Sequence, residues 1–337
     1  MQGVNYLQKP CLAPEILSSG QSNFRSEGDR RLMRSGDAVH PNHARGALGT
    51  LIRTMPPAAL LLIPALLYLA VFFLYPAINL LFFSVLTQDI KGLIGRPFTW
   101  AHYIKFFDVE LYMRVFWNTL RVSLVTSAFA ILFAYPVAIV MVRSRQEVAR
   151  LISLIVIAPL IVSVVVRSYG WQLILSNGRN GVLNWILNWL GLSEDPVSIL
   201  YSETAVVIGS LHVFFPMMVL PLASALSKID PNLEDCARTL GASWWKIFWR
   251  VTLPLSIPGL VAGFTLVFSL TAGSFVTPVI LGGTSTTMLG NLIEQQIFVV
   301  YNWPFGAAIA VVLVSIVFGI NTLSMRLLEG RQYWRAA

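Results

Sequence analysis

Residues 233–254 read LEDCARTLGASWWKIFWRVTLP and form a charged segment with a predicted turn between two long apolar stretches. Just upstream, Asp230 can cap a helix whose first turn holds Pro231. Gly241 is suited to end that helix in the left-handed conformation. Because the other long segments of the chain are apolar, a polar helix followed by a glycine turn predicts a contact with a soluble protein beside a membrane.

A second, amphipathic helix is predicted after this turn. Its apolar side chains are Trp244, Trp245, Ile247, Phe248 and Val251. Leu253-Pro254 and Ile257-Pro258-Gly259 then mark the start of the next apolar stretch, because proline is tolerated in the first turn of a helix but not in its interior. The segment therefore predicts two helices before a membrane span begins.

The composition places the chain in a membrane. Of its 337 residues, 56% are hydrophobic and 12% are charged, and the mean hydropathy is +0.69, whereas a soluble domain has about 25% charged residues. A helix needs about 20 apolar residues to cross the hydrocarbon layer. Six stretches meet this need: 57–84, 116–142, 151–174, 204–226, 255–281 and 305–326. The predicted fold is an all-α polytopic membrane protein with six transmembrane helices within residues 55–330.

The distribution of basic residues predicts the orientation. With the N-terminus inside, the inner segments hold 17 of the 24 Lys and Arg residues and the outer loops hold five. Because short cytoplasmic loops retain positive charge, both termini are expected on the cytoplasmic side. The same rule accounts for the net charge of +8, so no nucleic-acid partner is expected.

The first 54 residues differ in composition from the rest. Ser, Gly, Arg, Asn and Pro dominate, and no apolar core typical of a secretory signal follows the early charges. Residues 1–54 are therefore expected to be a disordered basic cytoplasmic tail. A role in regulation or lipid contact is one interpretation; a dispensable extension, or a start at Met33 or Met55, is the one we favour. Residues 331–337 are expected to be a short cytoplasmic C-terminus.

The sequence predicts no catalytic, metal or nucleotide site on this chain. Cys11 and Cys236 are too far apart in predicted location to pair and fit no metal-ligand spacing. The histidines form no HExxH pattern, and no G-x-S-x-G pattern occurs. The nucleotide-binding pattern G-x-x-x-x-G-K-[ST] is also missing, since Gly282-Gly283-Thr284 lacks the lysine.

Two segments are expected to lie along the outer membrane surface. Residues 97–120 alternate aromatic and charged side chains, as interfacial helices do. Residues 181–192 carry Trp185 and Trp189 one turn apart, where tryptophans commonly anchor a helix at the interface.

The segment quoted first resembles the permease loop of binding-protein-dependent ABC importers. Asp235-Cys236-Ala237, Gly241 and Val251-Thr252-Leu253-Pro254 look like its E-A-A, G and I-x-L-P elements. Three residues separate Ala237 from Gly241 and nine separate Gly241 from Val251, as in the family pattern. Asp in place of Glu keeps the charge, and Cys in place of Ala keeps a small volume. The segments FWNTLRVSL, RSYGW, SFVTPVILGG and NWPFGAA also resemble the spermidine/putrescine branch of these permeases, from about residue 57 to 330.

The resemblance implies a type I ABC importer permease fold in a bacterial inner (plasma) membrane. Such a chain is one of two permease subunits, sits on a pair of ATPase subunits that bind ATP and Mg²⁺, and receives its solute from a periplasmic binding protein. In the family the loop, here residues 228–254, forms a coupling helix seated in a groove of the ATPase. The coupling residues carried onto this sequence are Glu234, Asp235, Cys236, Ala237, Arg238, Gly241, Leu253 and Pro254.

The sequence gives less information about the transported solute than about the fold. Ionisable groups within a span are usually functional or near its end, and those found here are Arg121, Arg167, His212 and Glu294. Arg121 and Arg167 are expected to reach outward to the interface. The candidates for lining a substrate pathway are Arg167, Tyr169, Trp171, Ser274, Phe275 and Trp303.

A polyamine would favour carboxylates or aromatic rings along its path, but Ser274 stands where some relatives are expected to carry an acid. A polyamine-like solute, another small organic cation, an amino-acid conjugate and an opine-like compound all stay open. The alternative function is that of an ATP-independent secondary transporter or channel. Such a protein would show repeats with broken helices and buried charges at the midplane, and these signals are weak here.

Overall fold

The structure is a computed structural model that describes residues 57–89, 92–178, 181–192 and 195–333. The predicted tail, residues 1–54, lies outside these ranges, and so do Cys11, Met33 and Met55. Of the predicted C-terminal segment, residues 331–333 continue the last helix and residues 334–337 lie outside the described ranges.

Helices dominate the described residues. In chain order they are α1 (Pro57–Leu69), α2 (Tyr75–Phe83), α3 (Ala101–Asp108), α4 (Glu110–Arg143), α5 (Gln146–Ile161), α6 (Val164–Ile174), α7 (Val182–Trp189), α8 (Glu203–Ser227), α9 (Pro231–Thr239), α10 (Trp244–Ile247), α11 (Leu253–Ala272), α12 (Leu289–Glu294) and α13 (Trp303–Tyr333). Wider π-helical turns occupy Ala70–Leu74, Phe248–Thr252, Pro278–Gly282 and Gln295–Val299. Strands β1 (Leu86–Gln88) and β2 (Ile94–Phe98) pair antiparallel in a hairpin.

The membrane spans follow the predicted set with two changes. Among the described residues, five helical stretches are long and apolar enough to cross a membrane: Leu62–Phe83, Glu110–Arg143, Glu203–Ser227, Trp244–Ala272 and Trp303–Arg326. Helices α5 and α6 pass the same test together, which gives up to six spans. The first, second, fourth and sixth predicted spans therefore correspond to helices of the structure.

The third predicted span, 151–174, is not one helix. Helices α5 and α6 are bent by 101° relative to each other, and the two residues between them, Val162 and Ser163, have extended backbone with ψ of 136° and 140°. Pro159 lies in the last turn of α5 and removes a backbone donor just before this break. The apolar run is therefore continuous in sequence but interrupted in structure.

The fifth predicted span, 255–281, is displaced toward the N-terminus. Its helix begins at Trp244, so the expected separate amphipathic helix is instead the first part of the span. Pro254 has no N–H to donate to the carbonyl of Arg250, and the preceding turn widens: Leu253 N–H donates to the Phe248 carbonyl, five residues back. The widened turn accommodates the proline, and the helix continues to Ala272.

The segment predicted to lie along the outer surface, 97–120, is divided among three elements. Its first residues complete β2, the next form α3, and residues from Glu110 onward belong to α4. The 34 residues of α4 correspond to about 51 Å, so α4 is longer than the roughly 30 Å core of a bilayer requires. The hairpin was not predicted, because its strands are only three and five residues long.

Two interhelical ion pairs show how the main helices run relative to each other. Arg121 on α4 pairs with Glu203 at the start of α8, with Nη2 and Oε2 3.0 Å apart. Arg143 at the end of α4 pairs with Glu234, just beyond the end of α8, with Nη2 and Oε1 2.7 Å apart. Helices α4 and α8 therefore run parallel, and α9 lies at the end of the bundle opposite Arg121.

The centre of the bundle is the packing of α8 against α11 and of both against α4. Gly259 and Gly263, four residues apart on α11, allow the close approach. A Cβ atom at Gly259 would lie 2.5 Å from the Ala225 Cβ and 2.8 Å from the Pro221 carbonyl oxygen, and one at Gly263 would lie 2.5 Å from the Met218 sulfur. In a membrane, where apolar burial between helices contributes little, such small-residue contacts supply much of the association energy.

We expect Gly259→Leu to destabilise the bundle by about 1–3 kcal/mol, the usual cost of forcing extra methylene groups into a packed interface. Thermal unfolding of the detergent-purified protein measures the effect. Gly319→Leu is the matched control, because a Cβ atom there would have no described side chain and no backbone of another element within 4 Å. Equal unfolding temperatures for the two variants would contradict the close packing of α8 and α11.

Candidate functional site

Helix α9 begins where the sequence predicted. The Asp230 side chain caps it, since Oδ1 accepts a hydrogen bond from the Asn232 N–H at 2.9 Å. Pro231 is the first residue of the helix, where its missing N–H has no partner to lose. The cap and the proline fix the direction in which α9 leaves the end of α8.

Helix α9 also ends where the sequence predicted, at Gly241. The Gly241 N–H donates to the Arg238 carbonyl at 2.9 Å and the Ala242 N–H donates to the Ala237 carbonyl at 3.0 Å, which is the Schellman arrangement. Gly241 has φ of +77°, and the space around its Cβ position is open. The need for glycine therefore comes from the backbone alone, and another residue would cost about 1–2 kcal/mol there.

One face of α9 is exposed. The side chains of Asp235 and Arg238 are 64% and 59% exposed and form an ion pair, with Arg238 Nη1 and Asp235 Oδ1 3.1 Å apart. An exposed pair of this kind contributes about 0–1 kcal/mol, so it leaves Asp235 free to exchange partners. Cys236 is exposed, and Leu240 is 88% exposed. Ala237 is half-buried between this surface and the bundle.

The other face of α9 is attached to the bundle through Glu234. Its Oε1 pairs with Arg143 Nη2 at 2.7 Å and accepts a hydrogen bond from Thr252 Oγ1 at 3.1 Å. The Glu234 and Arg143 side chains are only 15% and 28% exposed. Together with Arg238, Trp244 and neighbouring apolar residues, they line a cavity of about 230 Å³. Glu234 thus connects α9 to the end of α4 and to the π turn before α11.

A second contact lies deeper in the same junction, about two turns from Arg143 along α4 and one turn from Thr252 along α11. The Tyr135 hydroxyl and the Ser256 hydroxyl, both buried, are 2.7 Å apart and link α4 to α11. The Phe248 ring packs edge-on against Tyr135 with their centroids 5.1 Å apart. Leu253 packs against the same apolar cluster, while Pro254 follows the π turn inside the continuous helix. The start of α11 is therefore firmly joined to α4.

The predicted coupling residues consequently divide into two groups. Asp235, Cys236 and Arg238 are exposed on α9, whereas Glu234 faces the bundle. Sequence reasoning missed Arg143 and Thr252 as members of the site. Arg143 lies 91 residues from Glu234 in the chain, and the only signal in the sequence was that consecutive helical residues cannot share a face.

Some of the predicted pathway residues meet where α6 packs against α8. Arg167 Nη1 donates to the Val213 carbonyl at 3.3 Å, so this side chain turns toward α8 instead of reaching outward as expected. The Trp171 and His212 rings lie edge to face, with centroids 5.6 Å apart. Arg167 Nε and His212 Nδ1 are buried, and neither has a hydrogen-bond partner among the described residues. These side chains form a polar patch within the apolar bundle.

Ser274 and Phe275 lie in the turn after α11 and against the start of α12. The Phe275 carbonyl accepts a hydrogen bond from Asn291 Nδ2 at 2.8 Å. The Ser274 carbonyl lies close to Gly290, where a Cβ atom would approach it to 2.6 Å. Thr277, in the following turn, has its hydroxyl 3.5 Å from that of Ser168 on α6, so this turn packs beside the polar patch.

The two remaining pathway candidates are separate. Tyr169, on α6, is 55% exposed, and Trp303 at the start of α13 is 46% exposed. Within the described ranges, no hydrogen bond or ring contact joins Trp303 to the patch around Arg167. Arg121 is 70% exposed and pairs with Glu203, as suits a residue near the end of a span. Among the same residues, no group of His, Cys, Asp or Glu is arranged to hold a metal ion.

Known proteins resemble this chain in sequence and in fold. The chain is 34% identical to the spermidine/putrescine transport system permease protein PotB of Haemophilus influenzae over 269 residues, covering 78% of this chain and 93% of the relative. It is 33% identical to PotB of Escherichia coli strain K12 over 270 residues, covering 80% and 94%. A bacterial ABC transporter involved in the import of the acidic polysaccharide alginate has a chain with the same fold, at a TM-score of 0.65 and 19% identity, covering 84% of this chain and 98% of that one.

Residues 130–331 match the family described as the binding-protein-dependent transport system inner membrane component. The match includes all of α9, the Gly241 turn and the helix that follows. It decides between the two functions that the sequence left open, against an ATP-independent transporter or channel, and it confirms that the chain is not itself an enzyme. This chain is a permease subunit and belongs to the family of inner membrane components of binding-protein-dependent transport systems.

Proposed function

We propose that this permease subunit imports a small organic cation of the polyamine type, driven by ATP hydrolysis on partner subunits. It pairs with a second permease subunit, rests on two ATPase subunits and receives solute from a periplasmic binding protein. The observation that carries the coupling to an ATPase is the exposed face of α9, where Asp235 lies midway along a helix that ends at a glycine turn. This face has the charge and small side chains that suit a groove on another protein.

The contact with the ATPase rests on Asp235. Its only ion-pair partner within the described residues is Arg238, three residues along the same helix. A basic side chain of the ATPase can replace that exposed partner at little cost, and opposite charges across an interface steer association and fix its register. ATP and Mg²⁺ are bound by the ATPase subunits, and this chain receives the resulting movement through α9.

The orientation of the chain in the membrane follows from the proposed contact between α9 and the ATPase. If α9 contacts an ATPase, the end of the bundle that carries Arg143 and α9 is cytoplasmic, and the end that carries Arg121 and Glu203 is periplasmic. Both termini are then cytoplasmic. This agrees with the excess of basic residues in the segments on that side.

The solute class is inferred from the PotB relatives, whose names specify spermidine and putrescine. Trp171 and Phe275 offer aromatic faces that attract an ammonium group. Arg167 acts in the opposite sense, because it places a positive charge beside the same region. We therefore assign the selection of the cation mainly to the binding protein, and the pathway supplies passage and only weak discrimination.

We expect Asp235→Lys to abolish ATP-dependent uptake of spermidine while the protein remains inserted in the membrane. The substitution places like charges across the proposed contact, which costs several kcal/mol. Co-purification with the ATPase and uptake by reconstituted vesicles measure the two effects. Glu147→Lys is the control, because Glu147 is an exposed acid in the first turn of α5 at the same end of the bundle. Wild-type association and uptake in Asp235→Lys would refute the contact.

Cys236 tests the orientation without the partner subunits. Its thiol is exposed on α9, and Cys11→Ser removes the one other cysteine of the chain. We expect a membrane-impermeant maleimide to label Cys236 in inside-out vesicles and not in intact spheroplasts. Labelling in spheroplasts alone would place α9 on the periplasmic side and exclude an ATPase contact there.

A further inference from the structure

We infer that Glu234 is the positioning residue that transmits movement of α9 to the membrane helices, acting within the chain and not at the ATPase surface. The inference rests on the proposed function, since it assumes that an ATPase moves α9. It assigns different tasks to two neighbouring acids. Asp235 makes the outer contact, and Glu234 holds the inner one.

The need for such a link comes from the weak attachment of α9. None of its residues is buried, so apolar packing contributes little to holding it against the bundle. On one side it ends at Gly241, where the backbone has no side chain to restrict it. Without a further contact, part of a force on α9 would be taken up by rotation at this turn, and α9 would act on the spans only through its connection to α8.

The link itself is well made. A single carboxylate oxygen of Glu234 receives both Arg143 Nη2 at 2.7 Å and Thr252 Oγ1 at 3.1 Å. Because the two charged side chains are mostly shielded from water, their interaction exceeds that of an exposed pair. Loss of either charge would leave the other partly buried and unpaired, which is destabilising. The pair therefore resists separation of Glu234 from Arg143.

The two partners of Glu234 lie on the helices that have to move. Arg143 is the last residue of α4, which packs against α8 and α11. Thr252 is the last residue of the π turn that continues into α11. The nearby Tyr135–Ser256 contact joins these same two helices. Glu234 therefore attaches α9 to the two helices that are already joined to each other.

Chain connectivity extends the link toward the polar patch. Only Ser144 and Arg145 separate α4 from α5, and α5 ends at the 101° bend before α6, which carries Arg167 and Trp171. A displacement of the end of α4 thus reaches both the central packing and the bent pair. Glu234 is therefore placed so that a movement of α9 can displace both the central packing of the bundle and the bent pair α5–α6.

The test uses the reconstituted complex of both permease subunits, the ATPase and the binding protein. We expect Glu234→Gln to leave association with the ATPase unchanged but to lower spermidine uptake and binding-protein-stimulated ATP hydrolysis about ten-fold, a typical size for coupling between sites. Arg143→Gln should have the same effect. The exchange of both charges, Glu234→Arg with Arg143→Glu, should recover a substantial part of the uptake. Glu147→Gln is the matched control for loss of an acid at this end of the bundle.

Three results would overturn the inference: uptake in Glu234→Gln equal to that of Glu147→Gln, loss of ATPase association in Glu234→Gln, or no recovery in the charge exchange. A double-mutant cycle of Glu234→Gln and Arg143→Gln, measured by thermal unfolding of the isolated permease, checks the pair without the ATPase. A wild-type complex that transports without ATP would instead refute the proposed function. The unfolding cycle would still report on the pair in that case.

Discussion

Consecutive residues of an α-helix project about 100° apart, and this constraint governs how α9 works. Glu234 and Asp235 have the same chemistry, yet one carboxylate faces Arg143 and Thr252 while the other is exposed. A helix that had only the exposed acid would bind a partner without passing its movement on. A helix with only the inner acid would be attached to the bundle but would offer no charged contact. The pair gives α9 one face for each of the two tasks that we propose.

The way in which α11 begins extends this arrangement into the membrane. Helix formation is continuous from Trp244 to Ala272, because the π turn at Phe248–Thr252 accommodates Pro254 without ending the helix. Continuity makes the first residues after the glycine turn part of the span. Farther along, Gly259 and Gly263 bring the same helix close to α8. In the coupling that we propose, movement at the loop is carried by this continuous helix to the central packing of the bundle.

Much of this architecture could be predicted from the sequence. Asp230, Pro231 and Gly241 predicted both ends of α9, because capping, the missing proline N–H and left-handed backbone are local properties. The long apolar runs located four of the spans closely. The break in the third span could not be found in the same way, since Val162 and Ser163 interrupt a run that stays apolar.

The features that the sequence did not predict depended on contacts between residues far apart in the chain, or on a change of helix geometry that accommodates a proline. Pro254 suggested the start of a span, but the wider turn before it changed its effect. Glu234 resembled an outer contact because the family pattern places it beside Asp235, and only the folded chain brings Arg143 to it. The polar patch formed by Arg167, Trp171 and His212 likewise joins α6 to α8 across the sequence.

The most direct test of the link is the distance between α9 and α4 during the ATPase cycle. Spin labels at Asn232→Cys on α9 and Val140→Cys on α4, both exposed positions, would report it in a background with Cys11 and Cys236 replaced by serine. The distance distribution should be the same in the nucleotide-free complex and in the ATP-bound complex with hydrolysis blocked, because Glu234 holds the two helices together. A shift of α9 relative to α4 between these states, in a complex that still transports, would contradict the rigid connection.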